Sequence, residues 1–256
     1  MSVNTQSNFQ LVNFFIADYP PIGVNQVLYV KYTEDIRQAS ITMEVQVTDS
    51  ETGFLSGMEP VFIRIADSEN KTELGGEFVV YDIQDRRNIG GKSSAVLMLC
   101  TPDFLNNAAN KVSRRFGKGM GIKIHDIVKD EILTDLMGIN SERLLNFEPC
   151  VNSFSFVSPY WNPFTAIRWL AAKAIPATKG SGPAATAGYA FYQTRSGYNF
   201  ESYDSFSSKE PVIRMVVGHD PDEMEDEDDT GILPLDQLTV ESSCDLLKGL
   251  NLGSYS

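Results

Sequence analysis

Apolar and polar residues alternate most cleanly over Ile41–Thr48, where Ile41, Met43, Val45 and Val47 share one side of an extended chain. The stretches 9–16, 26–32, 60–66, 76–83 and 94–100 carry the same β-prone character, rich in Val, Ile, Phe and Tyr. Turn signals divide them: Tyr19-Pro20-Pro21-Ile22-Gly23, then Asp49–Gly53, then the polar, Gly-containing loops Asp67–Gly75 and Arg86–Lys92. Up to Cys100 the pattern predicts an all-β unit, a barrel or a sandwich.

The period changes at Thr101-Pro102-Asp103. Thr101 or Asp103 is placed to cap a helix whose apolar face is Phe104, Leu105, Ala108, Ala109 and Val112. Phe116–Gly121 breaks it. A second helix is predicted from Lys123, carrying Ile124, Ile127, Val128, Ile132, Leu133 and Leu136, and Gly138 ends it. Residues 139–157 show no clear period apart from a short strand at Phe154–Val157.

Ser158 to Tyr203 is more definite. Asn162 stands at an N-cap position and Pro163 at the first helical position, where its missing N–H costs nothing. Ile167, Leu170, Ala171 and Ala174 form one face, Arg168 and Lys173 point away, and Pro176 ends the helix. The runs Tyr189–Thr194 and Tyr198–Tyr203 flank Ser196-Gly197 and predict a tight aromatic hairpin. Thr178–Gly188, rich in Gly, Ala and Pro, is expected to be mobile. Pro211–Val217 is β-prone, an acidic tract follows, and a short helix is predicted over about Val240–Leu250.

The net charge of −13 is concentrated. Asp220–Asp229 holds eight of the 34 acids, leaving 26 against 21 bases elsewhere. No basic surface of nucleic-acid type is implied. The tract lacks the Gly and Glu spacing of a helix-loop-helix calcium site, so it reads as a solvated, self-repelling loop. Cys100, Cys150 and Cys244 match no metal spacing and read as reduced, buried thiols. No apolar run is long enough to span a membrane. The start MSVNTQSN has no secretory character, so synthesis in a cytoplasm is expected.

Catalytic chemistry has little to stand on. The histidines, His125 and His219, lie in no nucleophile elbow and no metalloprotease helix. Phe116-Gly117-Lys118-Gly119-Met120-Gly121 resembles half of a phosphate loop, but Gly119 follows Lys118 where Ser or Thr is required. Its neighbours Lys111, Arg114, Arg115 and Lys123 make it a basic connection able to touch an acidic partner. No motif calls for a cofactor or a metal. Trp161, Trp169, Tyr189, Tyr192 and Tyr198 could line a sugar groove, although core and cross-strand packing is the commoner use of such residues.

Taken in order, several segments resemble the central baseplate hub proteins of contractile-tailed bacteriophages. They are Glu44–Asp49, Gly57–Ile63, Phe78–Ile83, Val96–Cys100, the helix bearing Asn107, Lys111, Val112 and Ser113, and Ile124–Val128. Pro159–Leu170 and Gly188–Ser202 are the most specific, and Leu247–Ser256 adds to them. The resemblance covers roughly residues 40–215 plus that end. Type VI secretion spike proteins are similar in their upper part.

The resemblance implies an α+β fold, with tail-tube-like antiparallel β-barrel domains and an inserted α/β middle domain. Residues 1–102 would be the first barrel and 103–210 the middle domain of helices plus hairpin. Residues 211–256 would be a return strand, acidic loop and short helix, the start of an abbreviated second barrel or one completed by another chain. Such a subunit forms a homotrimer that adapts a sixfold tail tube to a threefold central spike. It also contacts baseplate wedge proteins and passes genomic DNA without binding it specifically. The site is then the virion tail baseplate, without catalysis, and part of the surplus acid is expected to face the channel. The structural residues expected to support that assembly are Trp161, Phe164, Ile167, Leu170 and Trp169, with Tyr189, Phe191, Tyr198 and Phe200 of the hairpin. The alternatives are a tail-associated peptidoglycan hydrolase and a type VI secretion spike subunit.

Overall fold

In a computed structural model the described residues are 9–17, 19–48, 55–67, 73–89, 92–118, 121–177, 188–209, 214–217 and 232–235. The chain divides into two units, residues 1–207 and 208–256. In the first, six strands form one antiparallel sheet: β1 (Phe9–Ile16), β2 (Val27–Thr33), β3 (Thr42–Thr48), β4 (Pro60–Asp67), β5 (Glu73–Ile89) and β6 (Lys92–Cys100). Their order is β1-β4-β5-β6-β3-β2.

The alternation explains the sheet. Met43, Val45 and Val47 pair with Leu99, Leu97 and Ala95, and all six are buried on one face. Phe14 and Ile16 meet Ile63 and Val61 on the same side. Bulges in β1, β2 and β5 set Val12, Leu28 and Tyr81 out of register, and all three are exposed. Each bulge adds local bend and twist. The sheet curls into a half-barrel without closing, because among the described residues β1 and β2 each pair on one side only.

The described ends of two expected loops are strand. β5 runs from Glu73 to Ile89, taking in Glu73–Gly75 and the polar Arg86–Asn88. Beyond the core both sides of this strand meet water, so no alternation marks it.

The second core lies beside the first. α1 (Pro102–Ala109) leads to it from the sheet, with Phe104 against Tyr81 of β5 at 5.9 Å. The core itself is formed by β7 (Arg115–Phe116), α2 (Ile124–Asp126) with its π-helical continuation Ile127–Thr134, β8 (Leu144–Phe147) and β9 (Phe156–Val157). α3 (Pro163–Ala171) and the hairpin of β10 (Tyr189–Thr194) and β11 (Gly197–Ser202) complete it. The first helix ends before Val112, which instead bridges to Trp161. In the π-helical stretch the amides of Asp135 and Met137 reach back five residues, to Asp130 O at 2.9 Å and Ile132 O at 3.0 Å. This keeps the pairs Ile127/Ile132 and Val128/Leu133 together in the core.

α3 begins where expected, but its cap comes from elsewhere. Asn162 makes no side-chain cap. Asn107 Oδ1 instead accepts the Phe164 amide at 2.8 Å, and Asn162 Nδ2 donates to the carbonyls of Asn107 (2.8 Å) and Asn110 (3.1 Å). The helix is thereby tied to the end of α1. β8 pairs in parallel with β11, a strand the sequence pattern did not mark, and α4 (Tyr203–Ser208) follows the hairpin.

In the second unit β12 (Arg214–Val217) pairs in parallel with β13 (Ile232–Leu235). The acidic tract, His219, Cys244, the 240–250 helix, Leu247–Ser256 and most of Thr178–Gly188 lie outside the described residues.

Candidate assembly surfaces

The aromatic residues singled out from sequence fall into two groups. Phe164 of α3 meets the hairpin directly, edge-on to Phe191 at 5.5 Å and tilted against Tyr198 at 6.0 Å. Phe191 and Tyr198 stack at 5.6 Å, and Tyr189 stacks on Phe200 at 4.7 Å. Ile167 and Leu170 lie beneath them, fully buried. Trp161 and Trp169 do not reach the hairpin aromatics. They pack on each other at 5.5 Å, and Trp169 also packs on Phe154 and Phe156, with the Lys173 ammonium 4.5 Å over its ring. Both tryptophans are half-buried.

A polar seam joins the hairpin to the sheet. Gln193, buried on β10, turns its Oε1 across the gap to accept Ile41 N–H at 3.2 Å and Thr101 Oγ1–H at 3.1 Å. Arg195 N–H donates to Glu34 at 2.7 Å, and Arg168 donates to Arg37 O at 3.0 Å. Asp103 accepts from Arg143 at 2.5 Å and from the Tyr198 hydroxyl at 3.0 Å. Burial, then the Asp103 charge, pushes the Tyr198 hydroxyl far above its ordinary pKa, so it stays a donor. The register Thr194↔Gly197 makes the hairpin loop Arg195-Ser196. At Gly197 (φ +150°) a Cβ would stand 2.3 Å from Arg143 O, so the close approach of Arg143 requires glycine. A cleft of about 430 Å³ opens along this seam, bordered by Gly75, Gly76, Glu77, Gln193 and Arg195.

The sheet edges form the third surface. β1 presents Val12 and Phe15, and Phe15 stands opposite the exposed Phe62. β2 presents Leu28 and Tyr29, with Val24 and Ile36 close by in sequence. Large apolar side chains therefore lie in water at both ends of one sheet.

His125 acquires a partner that sequence spacing did not show. Its Nδ1 accepts the Cys150 N–H at 3.1 Å and lies 3.2 Å from Sγ, while Nε2 is 3.3 Å from Asp126. With Nδ1 already accepting an amide, it is not free to take the thiol proton. Burial pushes the Cys150 thiol up. The trio is a structural link around the buried Cys150 and lacks an activated nucleophile. At the half phosphate loop, Gly117 N–H donates to the Glu131 carboxylate at 3.0 Å, a contact an anion would have to displace. Among the described residues no group of three His, Cys, Asp or Glu side chains could hold a metal ion, and no helix is long and apolar enough to cross a membrane.

No protein-family model and no curated protein matches this chain. Solved structures do. The 43 kDa tail protein of prophage MuSo2 from Shewanella oneidensis is 10% identical, with a TM-score of 0.54 over 82% of this chain and 58% of its own. A tail protein from Neisseria meningitidis MC58 is 8% identical, with a TM-score of 0.50 over 82% and 55%. The E. coli c3393 protein, a component of the type VI secretion system, is 13% identical, with a TM-score of 0.48 over 82% and 51%. The chain thus spans little more than half the length of each. Identities this low speak to architecture alone, and on that ground the chain has the α+β fold of the Shewanella and Neisseria tail proteins.

Proposed function

We propose that this chain is a structural subunit of a phage tail baseplate hub. Copies of it assemble into a homotrimeric ring that adapts the sixfold tail tube to the threefold spike and surrounds the DNA channel. The observation that carries this reading is the half-barrel with two open edges, each presenting exposed apolar residues. An edge strand left open is a template for another strand, and apolar side chains beside it are suited to burial against a neighbour. The fold shared with two tail proteins supports the same reading.

In this reading residues 1–102 form the ring-building barrel and 103–210 an inserted middle domain. Residues 211–256 contribute to a second barrel. The aromatic cluster from Trp161 to Phe200 props the ring. Tube, spike and wedge proteins are the partners, and the virion tail is the location. A hydrolase reading draws no support from His125, whose ring nitrogens are engaged in the fold.

The test is light scattering and negative-stain imaging of the purified chain, alone and with Phe15→Asp or Leu28→Asp. A ring in the wild type, lost in both exposed-edge variants while each keeps its thermal transition, is the expected outcome. A monomer at all concentrations, or rings indifferent to both substitutions, would defeat the proposal.

A further inference from the structure

From Phe104 to His125, and again from Pro149 to Phe200, the sequence contains no Asp or Glu, although the chain holds 34 acids. The fold brings parts of these two stretches together. β7 pairs antiparallel with β9, setting Arg115 opposite Val157 and Phe116 opposite Phe156. The ladder continues through Ser158 N–H to Arg114 O at 2.9 Å and Val112 N–H to Trp161 O at 2.8 Å. The inner side is closed by the Phe116–Phe156 stack at 5.4 Å. The outer side carries Lys111 and Arg115, both exposed, beside Tyr160 and Val157, each 65% exposed, and exposed Lys118 follows two residues after β7.

Among the described residues Lys111, Arg115 and Lys118 form no ion pair, whereas Lys31–Glu44, Arg64–Glu73 and Arg143–Asp103 are paired elsewhere. Glu131, the carboxylate that reaches this region, is engaged by Gly117 N–H. Tyr160 supplies an independent sign. It is a bulky residue held at φ +63°, a strained left-handed conformation. The outcome is an aromatic ring in solvent with the Lys111 ammonium 5.4 Å over its face.

We infer that this cationic face, with Tyr160 and Val157 at its centre, is a docking surface for an acidic, partly apolar segment of another protein. Exposed Tyr160 and Val157 beside Arg115 match the aromatic- and Arg-enriched core of protein interfaces, with Lys111 suited to a polar rim. A protein segment is favoured over nucleic acid by charge. A long polyanion would have to lie along a chain of net charge −13, whereas a short acidic segment meets only the local patch.

The full chain is tested by fluorescence anisotropy with a short labelled peptide in which Glu alternates with Leu. A thymidine oligonucleotide of equal formal charge is measured beside it. The peptide should bind in a salt-dependent manner, more tightly than the oligonucleotide, and the combined Lys111→Glu, Arg115→Glu and Lys118→Glu variant should weaken it by at least about tenfold. Tyr160→Gly should also weaken binding while leaving the melting temperature equal or higher, since glycine relieves the backbone strain. Absent peptide binding, binding indifferent to charge reversal, or tighter binding of the oligonucleotide would each overturn the inference. The ring assay above reads different residues, so either conclusion can fail alone.

Discussion

Gly197→Ala is the sharpest perturbation of the seam. An added Cβ would lie 2.3 Å from Arg143 O, 2.9 Å from Arg143 C and 3.2 Å from Arg143 Cα, all backbone atoms that cannot rotate aside. Relief requires β11 to move from the Arg143–Leu144 segment, which carries the Tyr198↔Leu144 pairing and the Arg143–Asp103–Tyr198 cluster. Backbone strain at this φ costs about 1–3 kcal/mol and forced repacking about 1–3 kcal/mol, so a total near 2–6 kcal/mol is expected. For a unit of this size that corresponds to a loss of roughly 4–24 °C in melting temperature. Gly76→Ala is the matched control: its φ is +141°, close to the +150° of Gly197, but a Cβ there meets nothing within 4 Å. The difference between the two variants, read by circular dichroism melts, isolates the Arg143 contact from the backbone term. If Gly197→Ala lies within about 0.5 kcal/mol of Gly76→Ala, the close-approach argument is wrong.

Phe191→Ala empties a site bounded by Phe164 and Tyr198 and should cost about 3–5 kcal/mol, while half-buried Trp169→Ala should cost clearly less; equal losses in urea melts would contradict the packing described. Asn107→Ala removes the cap on α3 and should destabilise by about 1–2 kcal/mol, whereas Asn107→Asp, which keeps the acceptor, should recover most of that by the same melts. Cys100 is pushed up to about 12 by burial, so the fold favours its neutral thiol. That contribution is complete below the unfolded thiol pKa of about 8.5 and declines as pH rises towards the folded value. A thiol reagent near neutral pH should therefore leave Cys100 and Cys150 unmodified until the chain unfolds, and native labelling of either, located by peptide mapping, would refute the burial.

The strands with one wet face were legible because burial imposes a period of two, as at Met43, Val45 and Val47. Glu73–Gly75 and Arg86–Ile89 were misread as loop because β5 runs past the core. The π-helical stretch left a signal that was available: fully buried apolar pairs at i and i+5, which a regular α-helix would turn apart by about 140°. The α3 cap, the His125–Cys150 link and β8 were not legible, since each depends on a partner brought close only by the tertiary fold. The aromatic residues singled out from sequence divide between the Phe164 and Trp169 neighbourhoods, a division that depends on packing angles that spacing does not encode.

The seam also bears on how the chain must fold as it is synthesised. Gln193 satisfies Ile41 from 152 residues away and Thr101 from 92, and Arg195 reaches Glu34 across 161. A nascent chain can pair β1 through β6 early, but the Ile41 amide lacks its partner until the hairpin has left the ribosome. Contacts so distant in sequence slow the final step, because the intervening chain must be ordered before they are rewarded. The half-barrel is thus the first part of this unit able to form and the last to be locked. During that interval Ile41 and Thr101, at the end of the sheet that the hairpin covers, lack their partner Gln193, so the rate of hairpin docking sets how long misassociation at that end can compete with completion of the subunit.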